Sequence, residues 1–589
     1  MSTTRRSAKL AALVVSIAFI AAACGSDDNS TTTAAPDEST VETDAPTESS
    51  APADTTAETT AETTGETTAP SADIAMTVTY EISPDAVWED GSPITAADFQ
   101  CTWQAALNTP GSIVTSGFDQ IASVEPGDSD KQVIASFSTI YAPYKGLFSG
   151  SPGVIKKAAV ADCNDISEEF TTDLPFSGRE WILDSWSPEQ SKFVPNPSYW
   201  GDNTPTVDEF VMVPRPDTEI QALKAGEIDF IYPQFYAGIE DELADPNVAV
   251  KLEFGGDYEA MYMNLGAADE GRPFADPAFR EAFYKSIDLT ALKQQIYDPI
   301  APGRELLTCG PIVPGDFCPE GIFGDKYDQA AADTLLTDAG YAKDGEGFWA
   351  KDGTTPDIKW MINAGNTRRE NTQAYLIPLL AEAGFKVTAD NCDAACVFQE
   401  RLPAADYDLA MYISTAPPDP QYLVPAFAGD QIPTEENGFI GQNYQNWNNE
   451  VATKALHDSD AEVDEAARAD LIKAAITEMD KDSILIPLFQ FPKSAAYRSD
   501  KVGGVDGQLN NYRAFNDFSQ WEDTDGDGTI ILGAEQWPEC LNPVTNCANS
   551  SWYVWTVSFP LLPNVYDTTN DAGYELTNLM ASEPVVEVL

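Results

Sequence analysis

The chain has 589 residues, with 33 Lys plus Arg against 95 Asp plus Glu, and its formal net charge is −62. That balance argues against nucleic-acid binding, which needs cations to displace counterions from phosphates, and against attachment to anionic lipid through basic patches. The single histidine, His457, removes most His-centred chemistry and any two-His metal site, while 43% hydrophobic and 10% aromatic residues supply a core for more than one domain.

From the start, Arg5, Arg6 and Lys9 precede an apolar run from Leu10 to Ile20, then Ala21-Ala22-Ala23 and Cys24. A basic start, a short apolar stretch and a small-residue site read as a secretory signal over residues 1–23, too short to span a membrane. The Cys followed by Gly25 and Ser26 resembles a bacterial lipoprotein cleavage box, with Ala21 where Leu is usual, so Cys24 is the expected lipidation site. Residues 24–75 are rich in Thr, Ala, Pro, Ser and Glu, and no Lys or Arg occurs between Lys9 and Lys131. Such a segment cannot form a core, and its uniform charge extends it into a tether. Apart from Cys24, eight cysteines remain, consistent with an oxidising compartment. They allow on the order of a hundred pairings. Sequence proximity favours Cys309–Cys318, Cys392–Cys396 and Cys540–Cys547, which leaves Cys101–Cys163.

Beyond the tether, Met76–Ile82 alternates as a half-buried strand. Residues Trp88 to Phe99 read WEDGSPITAADF: Asp90-Gly91 is a turn, Thr95 an N-cap, and Asp98 an acid in the first helical turn. Ala222 to Asp229 reads as a helix ended by Gly226 and followed by a strand. Phe279, Ala282, Phe283, Ser286 and Ile287 mark one buried helical face. Ala466–Asp480 reads as a helix and Ile484–Phe489 as a buried strand; Thr529–Glu535 reads as a further strand and Pro584–Leu589 as another alternating, half-buried one.

Several of these stretches, in order, resemble the family 5 extracellular solute-binding proteins, the oligopeptide, dipeptide and nickel receptors of ABC importers. The carriers are Trp88–Phe99, Pro195–Gly201 (PNPSYWG), Ala222–Asp229 (ALKAGEID), Pro273–Asp288, and the Ile486-Pro487-Leu488 of the late strand. The resemblance implies an α/β, bilobed periplasmic-binding-protein-like fold of type II in its large three-subdomain form. Lobe I would comprise residues 76–235 plus 489–589 and lobe II residues 236–488. It implies a non-enzymatic, monomeric, lipid-anchored receptor on the extracytoplasmic face of the cytoplasmic membrane, delivering peptides or similar organic solutes to ABC permease subunits by lobe closure. The family's opening strand and following loop match Thr529–Glu535, Trp537 and Leu541–Pro543 rather than anything before Trp88. A circular permutation is therefore expected, with Pro584–Leu589 paired beside Met76–Ile82.

In relatives the first-strand loop supplies cleft residues, so Glu535, Trp537, Asn542, Trp552, Tyr553 and Trp555, with Tyr412 and Asp419 from the other lobe, are the candidate ligand-binding residues. The acid with which peptide-binding relatives hold an α-amine falls on Ala416, and Glu535 or Asp419 could replace it. Asp523, Asp525 and Asp527 have the opening spacing of a calcium loop, but the bidentate position falls on Ala534; any calcium would be a structural clip and no other cofactor is implied. A carboxylate-based secreted hydrolase and a sensory receptor are the rival classes. Abundant acids carry little weight for the first, and neither G-x-S-x-G nor H-E-x-x-H occurs.

Overall fold

In the computed structural model, the described residues are 74–589 apart from 151, 203, 267–270, 320, 435–436, 438–440, 506–517 and 570–572. The signal segment, Cys24 and the tether lie outside them. The strands of the two larger sheets are numbered here in chain order. Met76–Glu81 (β1) buries alternate side chains, Met76, Val78 and Tyr80, as its period-2 pattern requires. On one side it pairs antiparallel with Gln132–Phe137 (β3), which in turn pairs with Ile121–Pro126 (β2). On its other side lies Val585–Val588 (β14), antiparallel, from Met76 opposite Val588 to Thr79 opposite Val585. The expected pairing of the chain's last strand with its first folded one is therefore present. The expected half-burial of that last strand is not: all four residues of β14 are exposed, because it is the edge of the four-stranded sheet and packs through its inner hydrogen bonds alone.

After β1 the Asp90–Ser92 turn forms as its residues dictate. The Asp90 carboxylate accepts from the Ser92 N–H at 2.8 Å, and Gly91 takes the left-handed φ of 79°. Thr95 caps the helix Ala96–Asn108, its N–H donating to Asp98 at 2.8 Å. That helix carries Cys101, which is bonded to Cys163; Cys309–Cys318, Cys392–Cys396 and Cys540–Cys547 form as well. The Cys101–Cys163 bridge closes the longest loop of the four, 62 residues in sequence separation. Replacing both cysteines by Ser should cost about 4 kcal/mol of stability through loop-closure entropy, checked by urea denaturation of oxidised protein.

A ten-stranded mixed sheet runs through the rest of the chain. It adds Trp181–Trp186 (β4), Ser191–Pro195 (β5), Glu209–Pro214 (β6), Phe230–Ile231 (β7), Val248–Met263 (β8), Asp357–Met361 (β9), Lys386–Ala389 (β10), Leu409–Thr415 (β11), Leu485–Arg498 (β12) and Thr529–Ala534 (β13). Their order is β10-β9-β11-β8-β12-β7-β13-β6-β5-β4. The late strand β13 is an interior one, parallel to β6 on one side and β7 on the other. Strands β8 and β12 are 16 and 14 residues long and run antiparallel along most of that length, with irregularities at Pro487–Phe489 and Gln490–Pro492. Proline at 487 and 492 lacks a ladder N–H, which is where such a pair kinks.

Two large cores pack against these strands. One gathers β1, β3, the β4–β6 region and the tail from Trp521 to Met580; the other gathers residues from Ile220 to Ala496. No single residue divides them. The helix Glu219–Ala225, placed by sequence in lobe I, turns Ile220 and Leu223 into the second core, and β12 runs through the boundary expected at 489. The helix Pro277–Lys285 buries Phe279, Ala282 and Phe283 there, the face its spacing predicts, with Asp276 as N-cap. Among the described residues no helix is long and apolar enough to cross a membrane.

Candidate functional site

Where the two cores face each other there is a cavity of about 500 Å³. The β7 end and the kinked middle of β8 and β12 contribute Tyr232–Gln234, Asp257, Tyr258 and Phe491–Ser494. One wall comes from the tail between Gln536 and Thr556, the other from β11 and the segments around Asn366, Phe398, Tyr422 and Tyr444. The lining is dominated by aromatic rings. Tyr262 and Tyr412 stack at 4.3 Å between centroids, and Phe398 meets Tyr412 edge-on at 5.8 Å. Such rings give wide, rigid, apolar faces at low entropic cost.

Of the sequence-derived candidates, Trp552, Trp555 and Tyr412 line the cavity. Glu535 stands behind the wall: its Oε1 accepts from the Gln234 amide at 3.1 Å and from Trp552 Nε1 at 3.2 Å, and both donors belong to the lining. Burial raises the Glu535 carboxyl against the pull of those donors, and burial together with Glu535 and Asp217 raises Glu219 well above the ordinary range. Tyr553 is fully buried, its ring packed 4.0 Å from Trp552. Three candidates are engaged elsewhere. Asn542, 1% exposed, ties the tail down, donating to the Ile166 and Glu169 carbonyls and accepting from the Val544 and Thr545 N–H groups. Trp537 donates to the Ser187 carbonyl at 3.1 Å. Asp419 binds Arg468 through both oxygens, at 2.6 and 2.7 Å. Ala416 pairs its backbone with Gly256 and presents no acid.

Among the described residues three charged side chains line the cavity, Asp257, Lys493 and Arg369. Asp257 and Lys493 neutralise each other across β8 and β12 at 3.1 Å, and Thr415 donates to Asp257 at 2.6 Å. Arg369 belongs to a buried triad. Glu259, fully buried on β8, accepts from Arg368 through Nε at 2.9 Å and Nη2 at 2.8 Å, from Arg369 Nε at 2.7 Å, and from the Tyr297 hydroxyl at 3.0 Å. Burial alone would raise this carboxyl, but the two guanidinium groups hold it at about 2. One signal was legible beforehand: adjacent arginines in a chain this acidic need partners.

The aspartates 523, 525 and 527 bring one oxygen each within 4.8 Å of one another. Asp523 spends its oxygens on the Gly526 and Gly528 N–H groups, and Asp525 faces Lys501 at 3.5 Å. Ala534 ends the interior strand β13. The loop forms its turn from protein contacts. His457 lies on the surface, 3.0 Å from Asp430.

A bilobed α/β body with a cavity between two cores and two long shared strands is the architecture of an extracytoplasmic binding protein. The chain belongs to the bacterial extracellular solute-binding proteins, family 5, whose pattern matches residues 68–434. It is 25% identical over 418 residues to a putative ABC transporter peptide-binding protein of Brucella ovis, covering 66% of this chain and 73% of that one. It is 30% identical over 138 residues to a probable monoacyl phosphatidylinositol tetramannoside-binding protein of Mycobacterium tuberculosis, LpqW; that match spans 22% of this chain and about a fifth, 21%, of the relative. Among solved structures, the oligopeptide-binding protein AppA of Bacillus subtilis, complexed with a nonapeptide, superposes with a TM-score of 0.66 at 19% identity over 77% of this chain and 88% of AppA. This last likeness concerns the fold. The family is one of binding proteins, not hydrolases.

Proposed function

We propose that this chain is the solute receptor of an ABC importer, carried on the outer face of the cytoplasmic membrane by lipid on Cys24 and the acidic tether, and working as a monomer. The observation that carries the reading is the aromatic cavity walled by both cores. A solute bridging the two walls would stabilise the form in which they approach, and the permease would read that form. The two lobes are built on the two cores, the helix Glu219–Ala225 going with the second, and are hinged through β8 and β12. Chain order in this reading is permuted, supported by β13 as an interior strand and β14 beside β1.

The solute class is a peptide or similar small organic molecule; the Brucella relative's name supports the first. Native mass spectrometry of the purified protein, followed by a thermal-shift panel of peptide pools, tests the proposal, since a ligand that binds only the folded state raises the melting temperature. Turnover of a bound solute would overturn it. Trp552→Ala should weaken the solute so identified by about 10- to 100-fold, because a large rigid ring leaves the wall, and should also lower stability, because Glu535 loses a donor; calorimetric titration measures the first and a thermal melt the second.

A further inference from the structure

We propose that the cavity contains an anion subsite formed by Arg369 at the first turn of the helix Thr367–Ala383, so that the transported solute is a small organic anion whose carboxylate seats there while its body lies on the aromatic walls. This rests on the receptor reading above and narrows it.

The charge balance carries the argument. Arg368 and Arg369 share one carboxylate, Glu259, and the side chains are 0%, 6% and 0% exposed, leaving one buried positive charge without a counter-ion among the described residues, in a molecule of net charge −62. An unpaired buried charge is expensive unless something supplies its complement. The other charged groups of the lining do not: Lys493 and Asp257 cancel each other. Glu370, in the same helical turn, is exposed and accepts from the Gly365 N–H.

Donor geometry agrees with the charge. Arg369 gives Nε to Glu259 and one Nη1 hydrogen to Asn363, and Nη2 has no acceptor among the described residues. Arg368, by contrast, is locked by Glu259, the Phe235 carbonyl and the face of Phe491. Only Arg369 of the two lines the cavity. The 17-residue helix directs its positive end to the same place, with its N-cap Asn366 also in the lining.

The test is calorimetric titration with matched pairs, indole-3-acetate and N-acetylphenylalanine against their primary amides, with tryptamine as a cationic control. Each acid is expected to bind about tenfold or more tightly than its amide, and tryptamine not at all. Arg369→Gln should bring acid and amide within about threefold, and Arg369→Lys, which keeps the charge but loses the fork, should fall between. Circular dichroism melts confirm that the variants fold. Equal binding of acid and amide, preference for the amine, or undiminished discrimination in Arg369→Gln would overturn the inference. If neutral or cationic peptides bind while the acids do not, the anion subsite fails and the receptor stands. Should no solute bind and none co-purify, both readings fail.

Discussion

Replacing Glu259 by Ala should destabilise the protein by about 3–5 kcal/mol, the largest single-residue effect expected here. The variant leaves two buried guanidinium groups facing each other with no anion, and breaking a buried ion cluster by removing one partner costs that much. The size follows independently from proton linkage. The carboxyl falls from an ordinary 4.5 to about 2 in the folded protein, so its contribution is complete above pH 4.5 and is lost as pH drops through about 2. A depression of that size corresponds to about 3 kcal/mol. Urea unfolding of wild type and Glu259→Gln at pH 7 and pH 3 checks both points, the gap between the two proteins narrowing at the lower pH. Replacing Glu259, Arg368 and Arg369 together by apolar residues of similar volume should recover much of the loss. It should not recover discrimination between acid and amide, which separates the triad's structural part from the proposed role of Arg369.

Asp460 makes the second large prediction, with the opposite sign. It lies near the end of the helix Glu450–Ala461, where its main-chain carbonyl accepts from the Ala142 N–H at 2.7 Å, one of the contacts between the two cores. Its Oδ1 is buried without a hydrogen-bond partner. Burial first, then the neighbouring charge of Asp419, raises this carboxyl to about 8; Arg468 opposes the rise but is already bound to Asp419, and Asp119 adds to it from the other core. Tyr141, fully buried, packs in the same place with its own hydroxyl held neutral by burial. A carboxyl whose folded value is raised contributes stability that is complete below about 3.8 and is lost as pH climbs through 8. Thermal stability should therefore decline from the acid side toward pH 9. Asp460→Asn, which keeps the shape and cannot ionise, should flatten that decline and exceed wild type by several kcal/mol at pH 9. A melting profile of wild type that is flat between pH 6 and 9, or an unchanged slope in the variant, would show that the carboxyl is not held in this way.

Both predictions concern groups that no inspection of the chain singled out, and the reason is physical. Glu259 and Asp460 are two of 95 acidic residues. What distinguishes them is burial and partners 109 and 41 positions away, Arg368 and Asp419. Local periodicity contains nothing of that. Aromatics in the tail show the same division. Trp552, Tyr553 and Trp555 occupy one short helical segment, yet Trp552 and Trp555 face the cavity while Tyr553 turns into the core, because successive residues on a helix point about 100° apart. Sequence placed all three near the site and could not choose among them.

What the amino-acid sequence determined by itself is therefore the local and the ordered. The Thr95–Asp98 helix start and the Gly226 helix end follow from residues close in the chain, and the pairing of the last strand with β1 from motifs in a recognisable order. Proximity favours three of the cysteine pairs and only leaves over Cys101–Cys163, which the fold brings together. Tertiary structure alone decided where Asn542, Trp537 and Asp419 spend their hydrogen bonds, that β14 lies exposed at an edge, and that one arginine of an adjacent pair opens onto the cavity. Hydrogen-bond satisfaction and charge compensation are settled between segments hundreds of residues apart, after the strands that carry them have been brought into one sheet.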